Sequence, residues 1–168
     1  MPSSANFDGG YSYSAQALAA VSITPGATIA HKGVYFLWPM GTNNNVQANG
    51  QVINTTGMMG YTLGFLGAGA NGLQGGNIIV TYNDATTQTF QLTFNDWYLN
   101  TPTSGTEILA TTIWDQCSGG SCTSAGHDVS IYFSAFTIDP TKTIQSITLP
   151  VNSNLHIFAI GTNCLPGS

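Results

Sequence analysis

From about residue 28 onward, apolar and polar residues alternate with a period of two, and Gly, Asn and Asp interrupt the alternation at short intervals. Successive side chains of an extended strand point to opposite faces, so this rhythm predicts half-buried β-strands. Residues 87–94 show it most plainly: Phe90, Leu92 and Phe94 share one face, and Thr89, Gln91 and Thr93 share the other. Residues 77–82 precede them, and Asn83, Asp84 and Ala85 supply turn chemistry, so 77–94 reads as a hairpin. Lys32 and Gly33 divide residues 28–38 into a second hairpin. Further strands are predicted at 46–53, 61–66, 108–114, 129–136, 144–149 and 155–160. Only residues 14–20 look helical: Ser14 can cap a short turn carrying Ala15, Ala17, Leu18 and Ala19, which Pro25 and Gly26 then close off.

About nine short strands separated by turn signals predict an all-β protein, an antiparallel two-sheet β-sandwich of jelly-roll-like type, with one short helical turn near the N-terminus. A parallel sheet would need crossover helices, for which the pattern leaves no room. The chain has 168 residues, which suits one domain over residues 6–164, with 1–5 as linker and 165–168 as tail or linker. Residues 67–76, rich in Gly with Asn71 and Gln74, read as a loop inside that domain.

Charge then narrows the function. Lys and Arg total 2 against 7 Asp and Glu, a net charge of −5 with only 5% charged residues. Lys32 and Lys142 alone cannot replace the counterions that phosphates release, so nucleic acid is excluded as a partner, and an anionic membrane surface with it. No apolar run approaches the roughly 20 residues of a membrane-spanning helix. Disorder needs little apolar content, whereas this chain is 42% hydrophobic and 11% aromatic. A surface of neutral Thr, Ser, Asn and Gln suits a secreted protein. No basic and apolar leader opens the chain, so a signal peptide is expected upstream or already removed. Cys117 and Cys122 bracket Ser118, Gly119, Gly120 and Ser121, a spacer that lets two sulfurs meet, so a disulfide is predicted there and a free, buried Cys164. A zinc site would need more ligands than the nearby His127.

Aromatic faces beside amides and carboxylates are the groups that bind a neutral sugar: ring CH groups pack on indole or phenol, and polar side chains bond the hydroxyls. Three places offer them. Asp96, Trp97 and Tyr98 stand at a strand exit; Trp114, Asp115 and Gln116 enter the cysteine segment, with His127 and Asp128 at its far end; Trp38 precedes Asn43, Asn44 and Asn45. Trp38 and Trp97, at the ends of alternating strands, read first as core, whereas Trp114 has polar neighbours and is the tryptophan best placed to face solvent. Asn43 to Asn45 read first as a turn. Asp8 with a second acid, Asp128 or Asp139, would suit a structural calcium, although Asp139-Pro140 also opens a turn. An enzyme has little to build on: the seven acids sit mostly at turns, no Gly-x-Ser-x-Gly elbow occurs, and Cys164 near His156 lacks a positive environment. His156 reads as an outward strand residue and His31 as part of an exposed hairpin.

Several segments, in order, resemble a known family. They are Asn6-Phe7-Asp8-Gly9-Gly10-Tyr11-Ser12-Tyr13-Ser14-Ala15-Gln16-Ala17-Leu18, Pro25-Gly26-Ala27-Thr28, Phe36-Leu37-Trp38-Pro39, Leu63-Gly64-Phe65-Leu66-Gly67, Thr81-Tyr82-Asn83-Asp84, Phe90 to Trp97, Lys142 to Pro150 and His156 to Gly161. Together they look like the β-sandwich accessory domain attached to secreted bacterial glycoside hydrolases and some secreted peptidases. The segment from Asp115 to Asp128 is composed differently from that family. The resemblance implies a carbohydrate-binding-module-like fold and a non-catalytic role beside a catalytic domain. The expected function is thus binding of a polysaccharide through Trp114, Asp115, Gln116, His127 and Asp128, with Trp97 and Tyr98. The alternative is a structural or self-associating extracellular domain, because sheet edges with few Lys are poorly guarded against pairing.

Overall fold

The computed structural model describes residues 7–41, 44–103, 105–118 and 121–164, with all their side chains except those of Thr56, Cys117, Ser118, Ser121 and Ala125. The expected linker 1–5, the tail 165–168 and Asn43 lie outside the described residues. Along the chain come β1 (Tyr11–Tyr13), α1 (Ala15–Ala20), β2 (Thr28–His31), β3 (Val34–Leu37), β4 (Val46–Asn49), β5 (Val52–Met58) and β6 (Thr62–Gly69). β7 (Gln74–Tyr82), β8 (Thr87–Phe94), β9 (Glu107–Ser118), β10 (Ser121–Thr137), β11 (Ile144–Thr148) and β12 (Val151–Thr162) complete it.

Local chemistry explains the punctuation. Ser14 caps α1, its hydroxyl accepting from the Ala17 N–H. Lys32 and Gly33 both have positive φ, 47° and 77°, as a two-residue turn between right-twisted strands requires. The β7–β8 hairpin turns through Ala85 at φ 65°, closed by the Tyr82 N–H on the Thr86 carbonyl at 2.9 Å. Both hairpins fall where the sequence puts them.

Two antiparallel sheets result. The larger runs β1-β9-β10-β6-β12-β3-β2, with β4 also paired to β12; the smaller runs β5-β11-β7-β8. Phe65 and Leu63 from the first pack against Ile78, Val80, Leu92, Phe94 and Ile147 from the second, all fully buried. The sheets approach closely at Gly67, where an added Cβ would strike the Phe94 ring. The protein is the predicted β-sandwich.

Four details depart from the pattern reading. Residues 46–53 are two strands, because Gly50 at φ 72° turns the chain from β4 in the larger sheet into β5 in the smaller. The expected loop 67–76 is mostly strand, since β6 runs to Gly69 and β7 starts at Gln74. β9 and β10 extend into the cysteine segment, so residues 115–118 and 121–128, read from the sequence as loop, form a two-stranded ribbon. β1 is a further strand, too short to show a period, paired to β9.

The larger sheet also buries its other face. The β2–β3 hairpin folds over it: a Cβ on Gly64 would meet Val34, Phe36 and Phe133, and one on Gly161 would collide with the Tyr35 carbonyl. At the hairpin's end the Lys32 ammonium and the His31 ring both bond Glu107 at the start of β9, the His31 contact measuring 3.3 Å. The sheet's two margins therefore meet, and Lys32 holds the Glu107 carboxyl below its ordinary range. His31 is half-buried against Phe133, ring centroids 4.7 Å apart, so the exposed setting expected for it is corrected.

Inside this fold-over lie Phe7, Tyr13, Trp38, Trp97 and Phe158. Trp38 and Trp97, each 2% exposed, are core residues as the strand pattern implied. His156 is there too, 2% exposed, its Nδ1 2.8 Å from the Asn45 Oδ1 and its ring 4.0 Å from that of Phe7. Its expected outward position is thus wrong: in a sheet covered on both faces, alternation no longer separates inside from outside. Burial pulls its pKa down to about 4, against a smaller opposing effect of Asp8. Cys164 is free as expected but exposed, not buried, because it follows the end of β12.

Candidate functional site

Three elements converge beside the β9–β10 ribbon. In β9, Trp114 lies opposite Tyr13 of β1, and the Tyr11 ring stacks on the indole at 4.2 Å and 12°. In β10 the ladder slips between Ser124 and Asp128, so that residues 125–127 bulge across from Trp114. Gly126, at φ 70°, makes the bend and turns the His127 ring to 5.6 Å from the indole. The third element is the segment after β8. Its Trp97 N–H bonds the Gly69 carbonyl, and its Trp97 carbonyl accepts from the Ser130 N–H, both within 2.9 Å. This locks Trp97 in the core and sends the next residue, Tyr98, outward.

Tyr98 is 41% exposed and stacks on His127 at 3.8 Å and 18°, with Trp114 5.4 Å away. Its backbone is pinned: the Asp96 carboxylate accepts from the Tyr98 and Gly72 N–H groups, and His127 Nε2 lies 3.3 Å from the Tyr98 carbonyl. Asn100 donates to the Asp128 carbonyl at 3.1 Å. The result is an aromatic ledge of Tyr98, His127, Trp114 and Tyr11, set on hydrogen-bonded backbone. Trp114 Nε1 is a buried donor with no acceptor among the described residues.

Trp114, Tyr98 and His127 are therefore brought together, with Trp97 beneath them at 5.9 Å from Trp114. Gln116, exposed, shares the Trp114 face of β9. Asp115 points to the other face, where a hollow of about 460 Å³ opens beside the ribbon between Ser14, Gln16 and Ala17 on one side and Ile113, Asp115, Cys122 and Ser124 on the other. Asp128, exposed, pairs in register with Ile113 and so belongs to that second face. The residues proposed as one site thus occupy two faces of one strand pair, as strict alternation along β9 demands.

Sequence reading missed Tyr11. Its signal was the alternation Tyr11-Ser12-Tyr13, which puts both rings on one face but spans only three residues. Cys122 lies opposite Cys117 in the ladder, the position from which a cross-strand disulfide forms; the Cys117 side chain is outside the described residues. Asp8 is half-buried and exchanges backbone bonds with Tyr11, while Asp139 caps its own turn by accepting from Thr141. Among the described residues, no group of three or more His, Cys, Asp or Glu gathers at Asp8 or elsewhere.

No curated protein matches the chain at a significant level. A model of one domain family does, over residues 2–163; it agrees with the β-sandwich that the resemblance implied and names neither a ligand nor an attached enzyme. The chain belongs to the AziU2-like β-sandwich domain family.

Proposed function

We propose that the domain is a non-catalytic accessory module of a secreted bacterial enzyme, binding a neutral glycan on the Tyr98, His127, Trp114 and Tyr11 ledge. The observation that carries this is Tyr98, stacked on His127 yet 41% exposed, in a chain with almost no charge to attract an ionic ligand. Pyranose CH groups pack on such rings, and Gln116 stands on the same face to bond hydroxyls. A single ledge binds weakly, and tethering to a catalytic domain turns that into a high local concentration on insoluble substrate. A Cys117–Cys122 disulfide across the ribbon would hold the β9 and β10 contributions in register.

Affinity electrophoresis through gels containing neutral soluble polysaccharides tests the reading. At least one glycan should retard the wild type, and Tyr98→Ala and Trp114→Ala should each weaken retardation about 3- to 10-fold, the range of one lost stacking contact. Equal retardation of all three proteins, or none of the wild type by any polysaccharide, would overturn it.

A further inference from the structure

The smaller sheet carries no charged residue in any of its four strands. Its margin β8 is eight residues long, free of Pro, and paired to β7 in eight consecutive positions without a bulge. An exposed margin that long and regular is a template for another strand, which natural sheets usually block with a charge, a Pro, a bulge or a short strand. Three other margins here are blocked in those ways. β1 has three residues, β2 ends at the His31, Lys32 and Glu107 contact, and β5 pairs with a register shift beside Gly57 at φ 70°.

The register tells which backbone groups face outward. Tyr82 and Thr86 form the hydrogen-bonded pair that closes the hairpin, and alternate pairs onward bond likewise. Thr87, Thr89, Gln91 and Thr93 therefore aim their N–H and C=O groups away from β7, at the open edge. Their side chains lie on the solvent face of the sheet. On the inner face Phe90, only partly buried, stacks on Phe136 at 4.9 Å, leaving an apolar strip along the same flank.

We infer that the occupant of this edge is a second copy of the chain, its β8 pairing antiparallel with the first about a two-fold axis at Phe90. That register is self-complementary. Thr87 meets Thr93, Thr89 meets Gln91, each outward pair exchanges both backbone bonds, and the two Phe90 rings meet at the closer, non-hydrogen-bonded type of pair. No like charges approach, since neither strand has any. The two small sheets become one continuous sheet. One strand edge and one apolar strip form a contact at the small end of the interface scale, so the dissociation constant falls between micromolar and millimolar. This association is separate from glycan binding, because the ledge lies outside β8.

The test is sedimentation equilibrium over rising concentration, with amide hydrogen exchange read by nuclear magnetic resonance, on wild type, Thr89→Lys, Gln91→Pro and Thr81→Lys. Gln91→Pro removes an N–H that the folded monomer leaves unused, a position where an edge strand tolerates proline; thermal unfolding confirms that each variant is folded. The wild type should dimerise at high concentration and protect the Thr87, Thr89, Gln91 and Thr93 amides as it does so. Thr89→Lys and Gln91→Pro should weaken the dimer at least tenfold, and Thr81→Lys, on the same face but in the inner strand, should leave it intact. A wild type that stays monomeric up to about 1 mM overturns the inference. So does a dimer that leaves those four amides unprotected, or one that survives Gln91→Pro while Thr81→Lys abolishes it.

Discussion

Two aromatic groups sit side by side in this fold and end differently. Phe7, Tyr13, Trp97, His156 and Phe158 form a sealed cluster; Tyr11, Tyr98, Trp114 and His127 form an open ledge. They are built from the same residue types and nearly the same positions, for Tyr11 and Tyr13 lie on one face of β1, and Trp97 and Tyr98 are adjacent in sequence. What separates them is cover. Phe7 lies over the first group, its ring 4.7 Å from Trp97 and 4.0 Å from His156. Among the described residues nothing comparable lies over Tyr98. Ring content identifies neither a core nor a binding surface; the segment that crosses the rings does.

The sharpest way to break the comparison is to delete one indole from each side. Trp97→Ala should cost about 3–5 kcal/mol, the range for a fully buried aromatic, whereas Trp114→Ala, half-buried, should cost clearly less. Chemical denaturation midpoints of the two variants measure this, and equal losses would erase the distinction between sealed and open.

Acid is the next lever, and it acts on the sealed side. His156 has a pKa near 4 in the folded protein against an ordinary 6.5, because burial disfavours its charged form. Protonation therefore favours the unfolded chain. Stability contributed by this residue is complete above about pH 6.5, declines as pH falls toward 4, and changes no further below that, a total of about 3 kcal/mol. In His156→Gln that component should vanish from the pH dependence of unfolding, and an unchanged profile would contradict the assignment.

Smaller effects belong to the open side and its neighbour. Tyr98→Ala should lower stability by under about 1 kcal/mol, an exposed side chain having little packing to lose, even while polysaccharide retardation falls. Alkylation of the unreduced protein should label Cys164 alone, and reduction should make two further thiols available; three labels without reductant would remove the proposed cross-strand disulfide.

Much of the fold was legible because one of its sheets is covered on one face. In β8 the alternation of Phe90, Leu92 and Phe94 with Thr and Gln reports that single-sided burial, and the hairpins at Lys32-Gly33 and residues 83–85 carried their own turn chemistry. The larger sheet is buried twice, so His156 and Phe158, in a run of consecutive buried residues in β12, gave no alternation to read. The candidate site was half legible. Trp114, Tyr98 and His127 were recognised from their types and do meet, but Asp115 and Asp128 were grouped with them by proximity in sequence, and the pleat sends both to the opposite face. Tyr11 was invisible because its placement depends on β1 docking to β9, a pairing across a hundred residues that no local pattern announces.

Glu107 gives the larger sheet a latch. Among the described residues it receives both Lys32 and His31 across the gap where the sheet's margins meet, so one acid ties down the flap whose Phe36 packs on Phe133. With only two lysines in the whole chain, half of them are committed to that single fastening. Acylating agents that neutralise lysines would therefore strike this protein first as a mechanical unfastening, with changes in solubility coming after.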